Sequence, residues 1–414
     1  MGSLQVLSTE EWLTAVRKRL GTADCEVLDV TVNKLGGDVS GFLGEHLQVK
    51  VSVLVTKSVR KDLAFFVKKI PDDIPQHTEF IVSTNAFAKE TRLYSILFEH
   101  LPVTMPPWGP QCFLVRPDLL VMEDLMEQGF KIVGRLNYLD YPHCEVLLRT
   151  LARFHAVSIV LDESQPDKTL IEIYSHILFE NMFIKDTLSK FKYWFSGATE
   201  TLKCAIHLLP KHTGKDYNIE DILRKFTKHM HQMYELVKPS TKYRNVLCHG
   251  DLWANNALFR YEGTNPVDVR IVDFQLARYT PAALDVMSFL HLTTSREFRS
   301  SYSLKLRSVY HQSLGQELSR HGYDVNKLLP WDEFQESCEL YRIYGLIIAP
   351  TYHHTDLMPQ EALQGFLNDP NQYEKLVTEN RYDKVAVCIA SNEQYRDRIL
   401  SELDELVEDI QLKL

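Results

Sequence analysis

The segment Cys248-His249-Gly250-Asp251-Leu252-Trp253-Ala254-Asn255-Asn256 is followed, after an apolar strand, by Asp273-Phe274-Gln275. A carboxylate, an amide and a second carboxylate at these spacings suit phosphoryl transfer. That reaction asks little covalent help of a protein; it needs reactants positioned and charge neutralised. Asp251 suits a hydrogen bond from an attacking hydroxyl. The Asn256 amide oxygen and the Asp273 carboxylate suit a magnesium ion that bridges phosphates. Between them, two stretches of β pattern flank a polar turn through Gly263, which predicts a hairpin. A hairpin brings Asn256 and Asp273 to the same end of two paired strands. Singly, each of these residues is also an ordinary turn former. Their order, with the strand between, is what points to chemistry.

Such a site needs elements that hold a nucleotide over it. Ser8 caps a predicted helix that runs to about Leu20, and Cys25 to Lys34 reads as a strand. The glycine-rich Gly36 to Gly44 and a second strand, Glu45 to Val53, follow. A strand, glycine-rich turn and strand can cover phosphates with backbone N–H groups, with Gly37, Ser40 and Gly41 as candidate contacts. A plain hairpin turn uses glycine too. Asp62 to Pro71 reads as a buried strand carrying Lys68 and Lys69. Adjacent strand residues point to opposite faces, so only one can reach a phosphate, and Lys68 is the candidate. A helix over Phe87 to Leu97 then offers Glu90 as its carboxylate partner. Two strands, Phe113 to Val115 and Asp118 to Leu125, lead into a glycine-containing segment that reads as a hinge. There, backbone groups around Glu123 and Leu125 are placed for an adenine edge. The expected organisation is a nucleotide-binding N-lobe over residues 1–124, a hinge over 125–130 and a C-lobe over 131–414.

Beyond the hinge the pattern turns helical. Helices are predicted over Tyr141 to Val160, through most of Ile171 to Leu209, and over Ile219 to Val237, Glu333 to Ile348 and Leu400 to Leu412. His155 is expected to be a packed core residue. Asp285, in the first turn of another helix, is expected to brace the catalytic loop through backbone hydrogen bonds. The acidic tail from Glu402 to Asp409 reads as an amphipathic surface helix. Phe179, Phe183, Trp194, Phe195, Tyr341, Tyr344 and Tyr352 are candidates to line an acceptor pocket, each of them equally suited to the core. Trp253 is a candidate for shaping its acceptor side.

The 414 residues, 45% of them hydrophobic, suffice for a large core in two or three lobes. A net charge of −9 argues against a nucleic-acid partner. The seven cysteines show no zinc or redox spacing. With no apolar stretch of spanning length, a cytoplasmic protein with reduced thiols and no membrane partner is expected.

These motifs resemble the ecdysteroid-kinase-like family of arthropods, which is related to choline kinases and aminoglycoside phosphotransferases. The resemblance rests on His249-Gly250-Asp251-Leu252-Trp253-x-Asn255-Asn256 and Asp273-Phe274-Gln275. It extends to Val67-Lys68 before Pro71, Phe87-x-x-Glu90-x-x-x-Tyr94, and Glu123-Asp124-Leu125 before Gly129-Phe130. It implies an α+β, two-lobed protein-kinase-like fold, with an antiparallel N-lobe sheet plus a helix and a larger, mostly helical C-lobe. It also implies ATP, Mg²⁺ and a hydroxylated small-molecule acceptor, ecdysteroids being the named example. Carried onto this chain, Asp251 is the base, Asn256 and Asp273 hold metal, Lys68 holds phosphate and Glu90 orients Lys68. The glycine loop departs from the protein-kinase form. A choline- or aminoglycoside-type kinase and a ligand-binding pseudokinase are the alternatives. A protein kinase is disfavoured, because Gln275 stands where glycine is usual and no Ala-Pro-Glu signature follows.

Overall fold

The computed structural model of the chain describes residues 6–35, 44–71, 75–165, 167–185, 189–212, 218–367 and 369–412. The expected contacts Gly37, Ser40 and Gly41 lie outside them. Helix α1 (Thr9–Leu20) opens with a reciprocal cap. Glu11 N–H donates to Ser8 Oγ, and the Glu11 carboxylate accepts from Ser8 N–H. Strands β1 (Cys25–Lys34), β2 (Glu45–Val55) and β3 (Val59–Lys69) follow. Next come helices α2 (Pro75–Thr84) and α3 (Ala86–Arg92), then β4 (Cys112–Arg116) and β5 (Leu119–Glu123). The five strands form one antiparallel sheet in the order β1-β2-β3-β5-β4. Strand alternation gives this sheet two different faces. Phe65, Val67, Leu119 and Val121 pack with Trp12 and Val16 of α1. Phe66, Lys68 and Met122 point the other way, into a cleft.

The chain crosses to the second lobe through a turn at Asp124 to Gly129 and the short β6 (Lys131–Ile132), which pairs with a strand of that lobe. The second lobe begins with α4 (Tyr141–Glu163), α5 (Leu170–Ile173), α6 (Lys190–Ile206), α7 (Ile219–Met230) and α8 (Met233–Leu236). Strands β7 (Asn245–Cys248), β8 (Ala257–Glu262), β9 (Asn265–Ile271) and β10 (Arg278–Pro281) follow. Helices α9 (Ala283–Thr293), α10 (Arg296–Arg320), α11 (Val325–Leu328), α12 (Trp331–Asp356), α13 (Gln360–Leu367), α14 (Pro370–Thr378), α15 (Tyr382–Ser391) and α16 (Glu393–Leu412) complete it. This is the two-lobed protein-kinase-like architecture. Its centre is α9, buried at every residue, against which α12 packs closely. Gly345 of α12 permits that approach, since a Cβ there would run into the His291 ring.

Three expectations change. The stretch 171–209 is helical only at α5 and α6 among the described residues. Between them the chain folds back on its own polar side chains, and Met182 and Phe183 N–H groups donate to Glu180 Oε1. The helix expected over 219–237 breaks at His231 and Gln232. The acidic tail is amphipathic as expected but lies deeper than a surface helix: α16 buries Leu403, Leu406, Val407 and Ile410 and also the acids Glu402 and Asp409. Its acids serve as fasteners, Glu408 to Arg296 (2.6 Å), Glu405 to Arg299 and Asp409 to Arg342.

Candidate active site

β7 delivers His249 and Gly250 to the floor of the cleft. Gly250 has φ 79°, and a Cβ there would strike the Leu276 carbonyl, so the turn requires glycine. Asp285 accepts the N–H of His249 at 2.5 Å and of Gly250 at 2.9 Å, which is the bracing expected of it. His155 is a core residue as expected, and it has a task there. Its Nε2 lies 3.1 Å from Asp285 Oδ2 and its Nδ1 2.7 Å from Tyr310 Oη. Burial works to raise Asp285, but His155 and the backbone donors outweigh it and hold the carboxylate below its ordinary range.

His249 is locked as a neutral ring. Its Nε2 pairs with the Val272 carbonyl at 2.8 Å, and its Nδ1 accepts from Asp251 N–H at 3.2 Å. Those two partners fix the tautomer with hydrogen on Nε2. Burial pulls its pKa down. The ring thereby fastens the loop carrying Asp251 to the strand end before Asp273.

The hairpin β8–β9 pairs Ala257 with Ile271, and Val272 N–H donates to the Asn256 carbonyl at 3.0 Å. Asn256 and Asp273 therefore leave the same end of the hairpin. Asn256 Nδ2 donates to the Asp251 carbonyl (2.8 Å) and to Asp251 Oδ2 (3.0 Å). That spends the amide nitrogen on Asp251 and leaves its oxygen for another partner. Asp273 sits at φ 71°, a left-handed backbone that is rare outside glycine. An amide oxygen and a carboxylate held this way match the oxygen ligands that magnesium takes.

Lys68 Nζ donates to Glu90 Oε2 (2.6 Å) and Asp273 Oδ1 (2.8 Å). Burial acts to lower the lysine, but the two carboxylates overcome it and raise it. Glu90 has a second task that the sequence did not reveal, accepting the Phe274 N–H at 3.1 Å. Lys69 points away and pairs with Glu45 at 3.0 Å, so the choice of Lys68 on strand alternation is consistent with the geometry. Asp251 is held well above the ordinary carboxylate range by burial and by the charges of Asp273 and Asp356.

At the lobe junction, Glu123 and Leu125 both line the cleft. The Glu123 side chain is engaged by Gln111 N–H (3.2 Å) and Gln128 Nε2 (2.6 Å). Asp124 organises the turn by accepting from Met126 N–H at 3.0 Å and Gln48 Nε2 at 2.8 Å.

The cleft holds a cavity of about 270 Å³. Away from Lys68 its walls are apolar: Phe80, Phe191, Trp194, Tyr352, Tyr373 and Leu376. Of the expected aromatics, Trp194, Tyr352 and Trp253 line it. Phe183, Phe195, Tyr341 and Tyr344 belong to the core, and Phe179 lies under Lys89 at 4.9 Å. Phe80, Phe191, Tyr373 and Leu376 carried no signal, because α2, α6 and α14 meet only in the fold.

Residues 38–323 match the model of the ecdysteroid kinase-like family. The chain belongs to that family. This makes it a small-molecule kinase. Similar solved structures include a choline kinase from Cryptosporidium parvum Iowa II, 13% identical, with 92% of this chain and 91% of that one covered at a TM-score of 0.43. The choline kinase LicA from Streptococcus pneumoniae is 13% identical, with coverage of 95% and 99% and a TM-score of 0.41. The wild-type aminoglycoside 2'-phosphotransferase-IIIa is 14% identical, with coverage of 98% and 99% and a TM-score of 0.34. Among curated proteins none matches the chain at a significant level. No helix among the described residues is long and apolar enough to cross a membrane.

Proposed function

We propose that this kinase transfers the γ-phosphoryl group of ATP to a hydroxyl of a lipophilic small molecule, an ecdysteroid or a compound like one. The observation carrying this is a single cleft with Lys68, Glu90, Asp251, Asn256 and Asp273 at one part and an apolar, aromatic wall at the other. In the reaction the acceptor oxygen bonds to the γ-phosphorus, the bond from that phosphorus to the β-bridging oxygen breaks, and ADP leaves. Asp251 accepts the hydroxyl hydrogen and takes the proton as the new ester forms. Lys68 neutralises phosphate charge and Glu90 keeps it in place. Asn256 and Asp273 would hold Mg²⁺, which supplies charge neutralisation on the phosphates. Backbone groups of Glu123 and Leu125 take the adenine edge, and Gly37, Ser40 and Gly41 cover the phosphates. The nucleotide lobe is residues 1–124, the hinge 125–130 and the acceptor lobe 131–414.

The test is transfer of labelled γ-phosphate from Mg·ATP to a panel of ecdysteroids, other sterols, phenols, choline and aminoglycosides, with Asp251→Asn as control. A labelled ecdysteroid that disappears in the variant is the expected result. Transfer to choline or an aminoglycoside alone would replace the acceptor class. Neither transfer nor nucleotide binding would leave a ligand-binding pseudokinase.

A further inference from the structure

The lining of the cleft contains polar atoms that the fold itself leaves unmatched. Gln275 is 3% exposed and lines the cleft. Its Nε2 donates to Asp273 Oδ2 at 3.2 Å. A carboxylate only accepts, so the amide nitrogen must face Asp273 and the oxygen must face away. That oxygen is buried without a hydrogen-bond partner, as is Asn255 Oδ1 in the same cleft. A buried acceptor left unmatched loses its hydration without replacement, so each one calls for an explanation.

Asp356 presents a second anomaly. It ends α12, where the helix dipole disfavours an anion, and it lines the cleft. Thr355 Oγ1 donates to its Oδ1 at 3.0 Å, and no cation pairs with its carboxylate among the described residues. Arg135 approaches the same corner but spends Nη1 on the Asp356 carbonyl (3.2 Å) and Nη2 on the Met358 carbonyl (2.9 Å). Burial pushes the Asp356 carboxyl up to about 7. Arg135 and Arg381 act against that rise without cancelling it, so the carboxyl faces the cleft only partly compensated.

We propose that Gln275 and Asp356 are the acceptor-specificity residues of this kinase, taking hydrogen bonds from hydroxyl groups other than the one that reacts. The inference rests on the kinase reading above. The unmatched groups are acceptors, so the ligand must bring donors, and the aromatic wall demands that the rest of it be apolar. Asp356 and Asp251 line the same cleft, and the charge of Asp356 acts on Asp251.

Two probes separate the possibilities: ecdysone, a steroid with several hydroxyls, and pregnenolone, a steroid with one. Binding to the full chain is read from the fluorescence of the cleft residues Trp194 and Trp253, and phosphorylation from labelled ATP. The wild type should prefer ecdysone by about tenfold or more in both readouts. That preference should collapse toward one in Asp356→Leu and in Gln275→Met, and Asp356→Asn, which keeps an acceptor oxygen, should retain most of it. The ratio is the measure, because Gln275 also touches Asp273 and its loss slows both acceptors. If Asp356→Leu does not fold, Gln275→Met carries the test. An unaltered ratio in the variants, equal binding of the two steroids, or binding of choline alone would overturn the assignment. Preference without phosphoryl transfer would support these contacts and sink the kinase reading. Transfer with an unaltered ratio would do the reverse.

Discussion

On the Lys68 side of the cleft, the charged groups already have partners. Lys68 bridges Glu90 and Asp273, Glu90 also holds the Phe274 N–H, and Asn256 holds Asp251. Elsewhere in the cleft, Gln275 Oε1 and Asn255 Oδ1 have none, and most of the wall is aromatic or aliphatic. The first side is organised before any ligand arrives, which is how electrostatic positioning is made cheap at the moment of reaction. The second is left unsaturated, and its polar groups are matched only by what binds. One half is a fixed tool; the other is a mould.

Substitutions can break that contrast. Asp251→Asn should lower the transfer rate by roughly 10²–10⁴-fold. It should also raise the melting temperature of the nucleotide- and metal-free protein, because an Asp held well above its ordinary range pays to ionise in the fold. Lys68→Met should cost about 10²–10³-fold in kcat/KM for ATP. It should also destabilise by about 3–5 kcal/mol, since Glu90 stays buried without its cation. Both are checked by steady-state assay beside a thermal melt. Asp285→Asn touches no substrate, yet it removes one of two charged acceptors of the loop N–H groups. A fall of roughly 10–100-fold in kcat, with the ATP dissociation constant held, is expected. Trp194→Ala acts on the mould alone and should raise the acceptor KM roughly tenfold while the ATP KM stays put. A matching rise in the ATP KM would show that the two halves are not separable.

The smallest effect is a slope. Lys89 is fully buried, and its Nζ donates to the Ala277 carbonyl (2.7 Å) and Asn181 Oδ1 (3.0 Å). Burial lowers it to about 7, with Glu180 opposing. A depressed lysine binds fewer protons folded than unfolded, so its contribution grows as pH rises from about 7 toward the ordinary lysine value. Lys89→Met should flatten the rise in denaturant midpoint over that interval, and an unchanged slope would mean that Lys89 stays charged in the fold.

The fixed half could be read in the chain because its residues are local. Asp251 and Asn256 share one loop, Asp273 ends the next strand, and Lys68 and Glu90 follow from strand alternation and from order along the chain. The bracing role of Asp285 was equally legible. The second bond of Glu90, to Phe274 N–H, was not, because a side chain reaching a distant backbone group leaves no pattern. The mould was mostly hidden. Phe80, Trp194, Tyr352 and Tyr373 come from four separate helices, and nothing in their spacing separates a lining aromatic from a core one. Phe183 and Tyr344 have the same composition signal and lie in the core. The tail helix misled for a related reason. Its acids face arginines of α10 and α12, partners that only the folded lobe brings near.

Neighbouring residues of α3 tie that helix in two directions. Glu90 reaches the sheet through Lys68, and Lys89 reaches the helical lobe through Asn181 and the Ala277 carbonyl. Asn181 continues the tie, its Nδ2 donating to the Thr84 carbonyl (3.3 Å) and the Gln275 carbonyl (3.4 Å). The carboxylate that holds Lys68 is thus fastened to both lobes before any nucleotide binds.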